Sequence, residues 1–325
     1  MISNKIYLVS SGFPNKKEKY FSPYIKTYYE ELSKEYNVVI IAPFFKGILG
    51  LFTTNFICII RFLTDFILGN KKSTWFIHST IHALIIPYLV NPKKIIINFH
   101  GVELFKESKL FDLLIKFFLF PVKSETKIIF PSYSFKKQLN EKFKNKLGSN
   151  AYLINYSLGI EIQREEINIQ YNDIKVFYPG NTTYLKGYDY FKEFIIKHPK
   201  VKFYCFPNVY KTLKDYHKNI YEQPFYDDKN KYKVLSQFKF LFHPSRFESV
   251  SLILLEAYSI GIKCMVHRLP AFIELSENLK DFIWLDIEKI NFNSKHKSNR
   301  SLDISRYDRN VLVEKTLNFI NDRNI

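Results

Sequence analysis

A chain of 325 residues, 46% hydrophobic and 24% charged, has room for about two domains of roughly 150 residues and enough apolar content for a core, which excludes a disordered protein. Its formal charge of +17 sits mostly on residues 1–162 and favours anionic partners, acidic lipid or phosphorylated substrates. No zinc-finger spacing or RNP-type aromatic run is present, so nucleic acid is not an expected partner, and three scattered cysteines (Cys58, Cys205, Cys264) exclude a disulfide framework and imply reduced, cytosolic thiols.

The first apolar run, Ile6–Val9, is too short for a signal-peptide core and reads as a buried strand. A turn cluster, Ser10 to Pro14, leads to a predicted helix over 24–36 and a second strand, Val38–Ile41. Further apolar runs follow at Trp75–His78, Ile95–Phe99 and Lys127–Phe130. A second series starts near residue 174, with Ile174–Tyr178, Val201–Tyr204, Phe238–Phe242 and Cys264–Val266. Uninterrupted β-branched and aromatic runs alternating with helices imply parallel sheets covered on both faces. The polar stretch Gln163–Asp173 reads as the linker. The expected architecture is α/β: two doubly wound domains, residues 1–162 and 163–310, with a C-terminal helix over 311–325 packing back on the first.

Two segments are unusually apolar. Ile48–Leu68 is long enough to cross a bilayer, but Arg61, Asp65, Thr54 and Cys58 form a polar stripe along it, which favours a partly buried or interfacial helix. Residues 104–120 read as one amphipathic helix, with Leu110, Phe111, Leu114, Phe117 and Phe118 on one face and Lys109, Asp112 and Lys116 on the other. That face suits packing within the domain or insertion into an anionic headgroup layer.

The densest chemistry lies in Phe242–Ala257, where a strand passes through His243-Pro244-Ser245-Arg246-Phe247-Glu248 into a helix predicted from about Ser251 to Ile260, capped by Gly261. The free amides of a helix N-terminus suit a diphosphate, and ligands of open α/β sheets sit beyond the carboxyl ends of the strands. Glu256 can accept two hydrogen bonds from a ribose diol. Eight residues of helix would hold Glu248 and Glu256 about 12 Å apart, but Glu248 precedes the helix, so both can face one cleft.

Pro-Ser-Arg-Phe-Glu, followed eight residues later by Glu-Ala, resembles the Glu-x7-Glu motif of retaining GT-B glycosyltransferases, specifically glycosyltransferase family 4. The resemblance implies a GT-B fold, two Rossmann-like domains facing a central cleft. It implies that Glu256 holds the nucleotide ribose, that Glu248 lies near the donor sugar, and that the amides of Ser249, Val250 and Ser251 face sugar and diphosphate. Tyr178-Pro179-Gly180-Asn181 through Lys186-Gly187 is similar to the family's Gly-Arg…Lys-Gly loop, with Asn181 in the usual Arg position. Gly180 and Asn181 would then bind donor, and Lys186 would meet the leaving diphosphate. Asn98-Phe99-His100-Gly101 resembles the strand-end His of the first domain, which makes His100 a catalytic candidate. Gly12 stands where a glycine loop abuts the donor phosphate, and Phe206 and Pro207 where the base is held. Leu153–Ile160 resembles the segment that ends the first domain.

By this resemblance the chain moves a hexose-type sugar (EC 2.4 class) with retention, from a nucleoside-diphosphate sugar to a glycan or lipid-linked saccharide in cell-surface polysaccharide biosynthesis. It would need no metal and no cofactor beyond that donor, and would work in the cytoplasm, peripherally on the inner face of the membrane through residues 48–68 and 104–120. Two alternatives are a non-catalytic GT-B-like binding protein and a GT-B sugar-nucleotide epimerase.

Overall fold

A computed structural model describes residues 5–12, 23–43, 45, 47–69, 73–105, 108–144, 146–162, 173–227, 229–280, 282–285, 290, 292 and 304–322. The chain divides into two compact units: residues 1–158 with 313–325, and residues 159–312. Most of the expected linker, 163–172, lies outside the described residues.

The first unit alternates strand and helix: β1 (Lys5–Val9), α1 (Pro23–Leu32), β2 (Asn37–Ile41), α2 (Gly47–Ile67), β3 (Thr74–Ile77), α3 (Ile86–Leu89), β4 (Ile95–Asn98), α4 (Val102–Phe105), α5 (Lys109–Leu119), β5 (Lys127–Phe130), α6 (Tyr133–Lys142) and β6 (Tyr152–Ile154). The strands pair in parallel in the order β2-β1-β3-β4-β5-β6. β3 and β4 are apolar but for Thr74 and Asn98 at their ends and are almost wholly buried, as a sheet covered on both faces requires. α1 docks through Ile25, Tyr28 and Leu32, one helical stripe, onto Ile6, Leu8 and Phe76.

The predicted helix over 104–120 is two helices. Ser108 caps the second, its hydroxyl accepting from the Phe111 amide, so α5 starts afresh at Lys109. Phe111, Ile115 and Phe118 are buried, while Leu110, Leu113 and Phe117 are exposed, so the apolar residues occupy two faces rather than one. In α2, Thr54, Cys58 and Asp65 of the expected polar stripe turn inward, and Arg61 is exposed.

The second unit contains β7 (Lys175–Tyr178), α7 (Tyr188–Lys197), β8 (Lys202–Cys205), α8 (Pro207–Leu213), β9 (Ile220–Glu222), α9 (Lys231–Leu235), β10 (Phe240–His243), α10 (Leu252–Ser259), β11 (Lys263–Val266), α11 (Pro270–Ser276) and β12 (Ile283–Trp284). Its parallel sheet runs β12-β11-β10-β7-β8-β9. Read from the β9 edge and numbered by order of appearance, that is 3-2-1-4-5-6, the doubly wound Rossmann order, with its switch point between β7 and β10. Tyr178 stacks on Phe191 at 4.2 Å and Phe194 on Phe242 at 4.3 Å, so the core is largely aromatic. Removing one such ring costs about 3–5 kcal/mol.

α12 (Arg309–Ile320) begins in the second unit and, from Val313 onward, belongs to the first. Phe319 joins Ile6, Leu8 and Phe76 in the first core. The Lys127 ammonium donates to the carbonyls of Phe319 and Ile320 at 2.8 and 2.9 Å, capping the last turn where the helix is electronegative.

Candidate functional site at the switch point of the second unit

β7 and β10 are neighbours, so the loops leaving their carboxyl ends emerge side by side. The β7 loop carries Gly180, Asn181 and Lys186; the β10 loop carries Arg246, Glu248 and Ser249. Two devices hold them together. The Arg246 amide donates to the Leu185 carbonyl at 2.8 Å, and its guanidinium donates to the Tyr184 carbonyl at 2.7 Å and to both carboxylate oxygens of Asp189 at 2.6 Å. Gly187, with φ +69°, lies so close to Pro244 that an added Cβ would stand 2.0 Å from the Pro244 carbonyl oxygen. Only glycine allows both that backbone conformation and that approach.

Beneath the first loop, the Tyr178 hydroxyl donates to the carbonyls of Asn181 and Lys186 at 2.7 and 3.1 Å. The Asn181 side-chain oxygen accepts from the Thr183 amide and hydroxyl, an Asx-turn. Asn181 therefore shapes the loop from within.

The clamped loops bring Lys186 and Glu248 together, with Nζ 2.6 Å from Oε1. His243, at the end of β10, places Nε2 3.3 Å from the same oxygen and 3.1 Å from the Ser251 hydroxyl. Burial works to raise the Glu248 pKa, but the hydrogen bond and charge of His243 and the Lys186 ammonium outweigh it and bring the carboxyl down to about 2. Ser251 is the N-cap of α10, its hydroxyl accepting from the Leu254 amide. At the other end, the Gly261 and Ile262 amides donate to Tyr258 and Ala257, a Schellman closure where the sequence placed the cap.

Glu256 lies one turn into α10 and forms a second ion pair: Lys231 Nζ is 2.9 Å from its Oε1, with the lysine side chain only 4% exposed. The predicted pair Glu248 and Glu256 thus occupies one loop–helix element, each carboxylate with its own lysine. Val250 is buried between them in sequence, and Ser249 is half-buried. Beyond β8, Phe206 stacks on the exposed Phe225 at 4.8 Å, and Pro207 opens α8, so this end of the sheet presents an aromatic ledge.

The remaining candidates are in the first unit. Gly12 is buried after β1, and the Ser10 hydroxyl donates to its carbonyl at 2.8 Å. His100 follows β4, and its Nε2 lies 2.9 Å from Nδ1 of His78, the residue after β3. The rings stack at 5.2 Å. Burial pushes both imidazoles below the usual histidine value, His78 further still through the neighbouring His100. His78 is 5% exposed and His100 half-buried. His78, His243 and Lys231 were not singled out as site residues in the sequence. Among the described residues no cluster of three metal-binding side chains occurs.

No family model and no curated protein matches the chain. Solved structures do. HepE of Anabaena, in complex with UDP and glucose, aligns with a TM-score of 0.64 at 12% identity over 98% of this chain and 99% of its own. Trehalose-6-phosphate synthase OtsA aligns with a TM-score of 0.58 at 10% identity, over 98% of this chain and 96% of its own. TarM aligns with a TM-score of 0.55 at 15% identity over 77% of this chain, which spans 55% of TarM's length. Identities this low carry the fold, and the fold is the GT-B type: two Rossmann-like units, each with a parallel sheet between helices.

Proposed function

We propose that this chain is a GT-B glycosyltransferase that takes a sugar from a nucleoside-diphosphate donor held by its second unit. The observation that carries the reading is the Lys186–Glu248 pair, 2.6 Å apart, in two clamped loops at the switch point and beside the N-cap of α10. A Rossmann sheet binds its ligand at this point. A helix N-terminus and a half-exposed ammonium offer the charge that a departing diphosphate needs, and losing one such contact typically costs about 3–4 kcal/mol of transition-state stabilisation. In this reading the diphosphate draws Lys186 away from Glu248, which keeps its negative charge beside His243. Glu256, oriented by Lys231, accepts from the ribose hydroxyls. The Phe206–Phe225 ledge meets the base. HepE, crystallised with UDP and glucose, supports a uridine donor.

Transfer with retention, without metal, to a glycan or lipid-linked saccharide of the cell surface is the finer form of the proposal. It rests on the resemblance of the Glu248–Glu256 segment to glycosyltransferase family 4 and on the basic first unit. The use of nucleotide sugars and three unpaired thiols support a cytoplasmic site of action as part of this reading. His100, beside His78 at the carboxyl end of the first sheet, is the catalytic candidate that the family resemblance supplies from the first unit.

Isothermal titration with UDP-glucose and UDP-N-acetylglucosamine tests the reading. Glu256→Ala is expected to weaken donor binding at least about tenfold, the cost of one charge-assisted hydrogen bond. Unchanged affinity overturns the ribose role. Tight binding with neither transfer nor hydrolysis across the donor panel makes the chain a binding protein. Conversion of the free donor without acceptor makes it an epimerase.

A further inference from the structure

α2 is built inside out. A surface helix of a soluble domain turns its apolar stripe to the core. Here the inward side holds Gly50, Thr54, Cys58 and Asp65, while Ile48, Phe52, Phe56, Leu63, Phe66 and Ile67 point outward and are 47–79% exposed. The orientation is fixed by contacts. Asp65 accepts from the Lys5 ammonium at 3.0 Å and from the Ser73 hydroxyl. Asn55 donates to the Ile81 carbonyl at 3.0 Å, and an added Cβ at Gly50 would stand 2.0 Å from the Phe45 carbonyl oxygen. The apolar area left outside on α2 alone is on the order of 1,000 Å², well above the largest patch of a typical soluble monomer.

The face continues onto α3 and α5. The Tyr88 ring of α3 packs against that of Phe117 at 4.8 Å and its hydroxyl donates to the Phe117 carbonyl at 2.7 Å, which joins α3 to α5, where Leu113, Phe117 and the following Phe120 are exposed. Between α2 and α3 lies a recess of about 330 Å³ whose apolar wall is Phe62, Phe66, Trp75 and Leu89, with Lys94 and the paired Asp65 and Ser73 also lining it.

Charge selects what covers this face. The exposed charged side chains Arg61, Lys109 and Lys116 border it. The two acidic residues of α2 and α5 are taken up in ion pairs, Asp65 with Lys5 and Asp112 with Lys142 at 2.7 Å. In sequence, Lys46 precedes α2, and Lys71 and Lys72 follow it. A second copy would set one cationic rim against another. A bilayer with acidic headgroups satisfies both features, since apolar side chains enter the acyl boundary while lysines stay with the phosphates. α2 has the length and mean hydropathy, 1.6, of a membrane span. Its inward polar contacts instead hold it along the body of the unit, so at 1.5 Å per residue it offers about 30 Å of helix parallel to a surface.

We propose that α2, α3 and α5 form a monotopic docking face that seats the first unit on an anionic bilayer, with α2 lying in the headgroup plane. The proposal is independent of sugar transfer, and donor titration of the same protein reports on that separately.

The test is flotation of the full chain with vesicles of phosphatidylcholine alone or with added phosphatidylglycerol. The protein is expected to float with the phosphatidylglycerol vesicles and to detach in high salt. Phe52→Ser/Phe56→Ser/Phe66→Ser should lower the bound fraction at least about tenfold, with donor affinity unchanged. Phe56→Trp gives a second reading that does not depend on tolerance of the triple change: its emission should shift to the blue on addition of the acidic vesicles. No flotation and no spectral shift overturns the proposal. So does equal binding to both vesicles, or a dimer that the triple variant dissociates without any vesicle binding.

Discussion

Glu248 accepts two cationic or donor neighbours on one oxygen, so it stays ionised far into the acid range. The fold brings its carboxyl down from an ordinary 4.5 to about 2. The unfolded chain therefore binds the proton first, and the contribution of Glu248 to stability is complete above about pH 4.5 and lost as pH falls towards 2. The difference is worth roughly 3 kcal/mol. In chemical denaturation between pH 5 and pH 2, Glu248→Gln is expected to flatten this part of the acid limb; a slope equal to that of the parent protein would remove the ion-pair account. Lys231 is the complementary case. A lysine 3% exposed is tolerable only because a carboxylate meets it. The sequence offered no sign of this, since Lys231 stands in the run from Asp227 to Lys233, which reads as a solvated surface. His243 was equally opaque, because a single histidine carries no spacing to betray its partners. Glu248, Glu256 and Lys186 stood out because the Glu-x7-Glu and Lys-Gly spacings resemble a family motif, and the ends of β7 and β10 that carry the two loops are marked as apolar runs.

The loop carrying Lys186 depends on a turn no other residue type can make. Gly187 closes the 3-10 turn Tyr184–Lys186 and opens α7 in one left-handed conformation, against the Pro244 carbonyl. Gly187→Ala adds a strained φ and a backbone collision. An expected loss of about 2–4 kcal/mol should appear in urea unfolding, with weaker donor binding as the two loops part. A stable variant with normal affinity would show that the loops are not coupled. The longer strands were legible as apolar runs, whereas β6, β9 and β12, of only two or three residues each, are too short to show a pattern. The period of α2 revealed its polar stripe but not which side the core would take; that was decided by Lys5 and Ser73, distant in sequence from most of the helix.

At the scale of the whole molecule, the donor reading makes stability depend on ligand. A compound that binds only the folded second unit at a hundred times its dissociation constant adds about 2.7 kcal/mol, so the unfolding transition of that unit should rise by roughly 5–10 °C with UDP-sugar. A transition indifferent to every nucleotide sugar would leave the switch-point site without its ligand. Both sheets were readable as parallel because their strands lack the polar alternation of a one-faced sheet. Their strand orders were not, since order follows from which crossover packs on which face.

The return of α12 has a bearing on how the protein is made. Residues 5–158 supply all six strands of the first sheet, yet its core includes Phe319, and Lys127 finishes its bonding on the Phe319 and Ile320 carbonyls. About 150 further residues leave the ribosome between Leu158 and Val313, a delay of roughly 10–30 s during translation. For that interval a groove over Ile6, Leu8 and Phe76 stands open on the nascent chain. All six strands of the second sheet are therefore synthesised before α12, the helix that completes the core of the first unit.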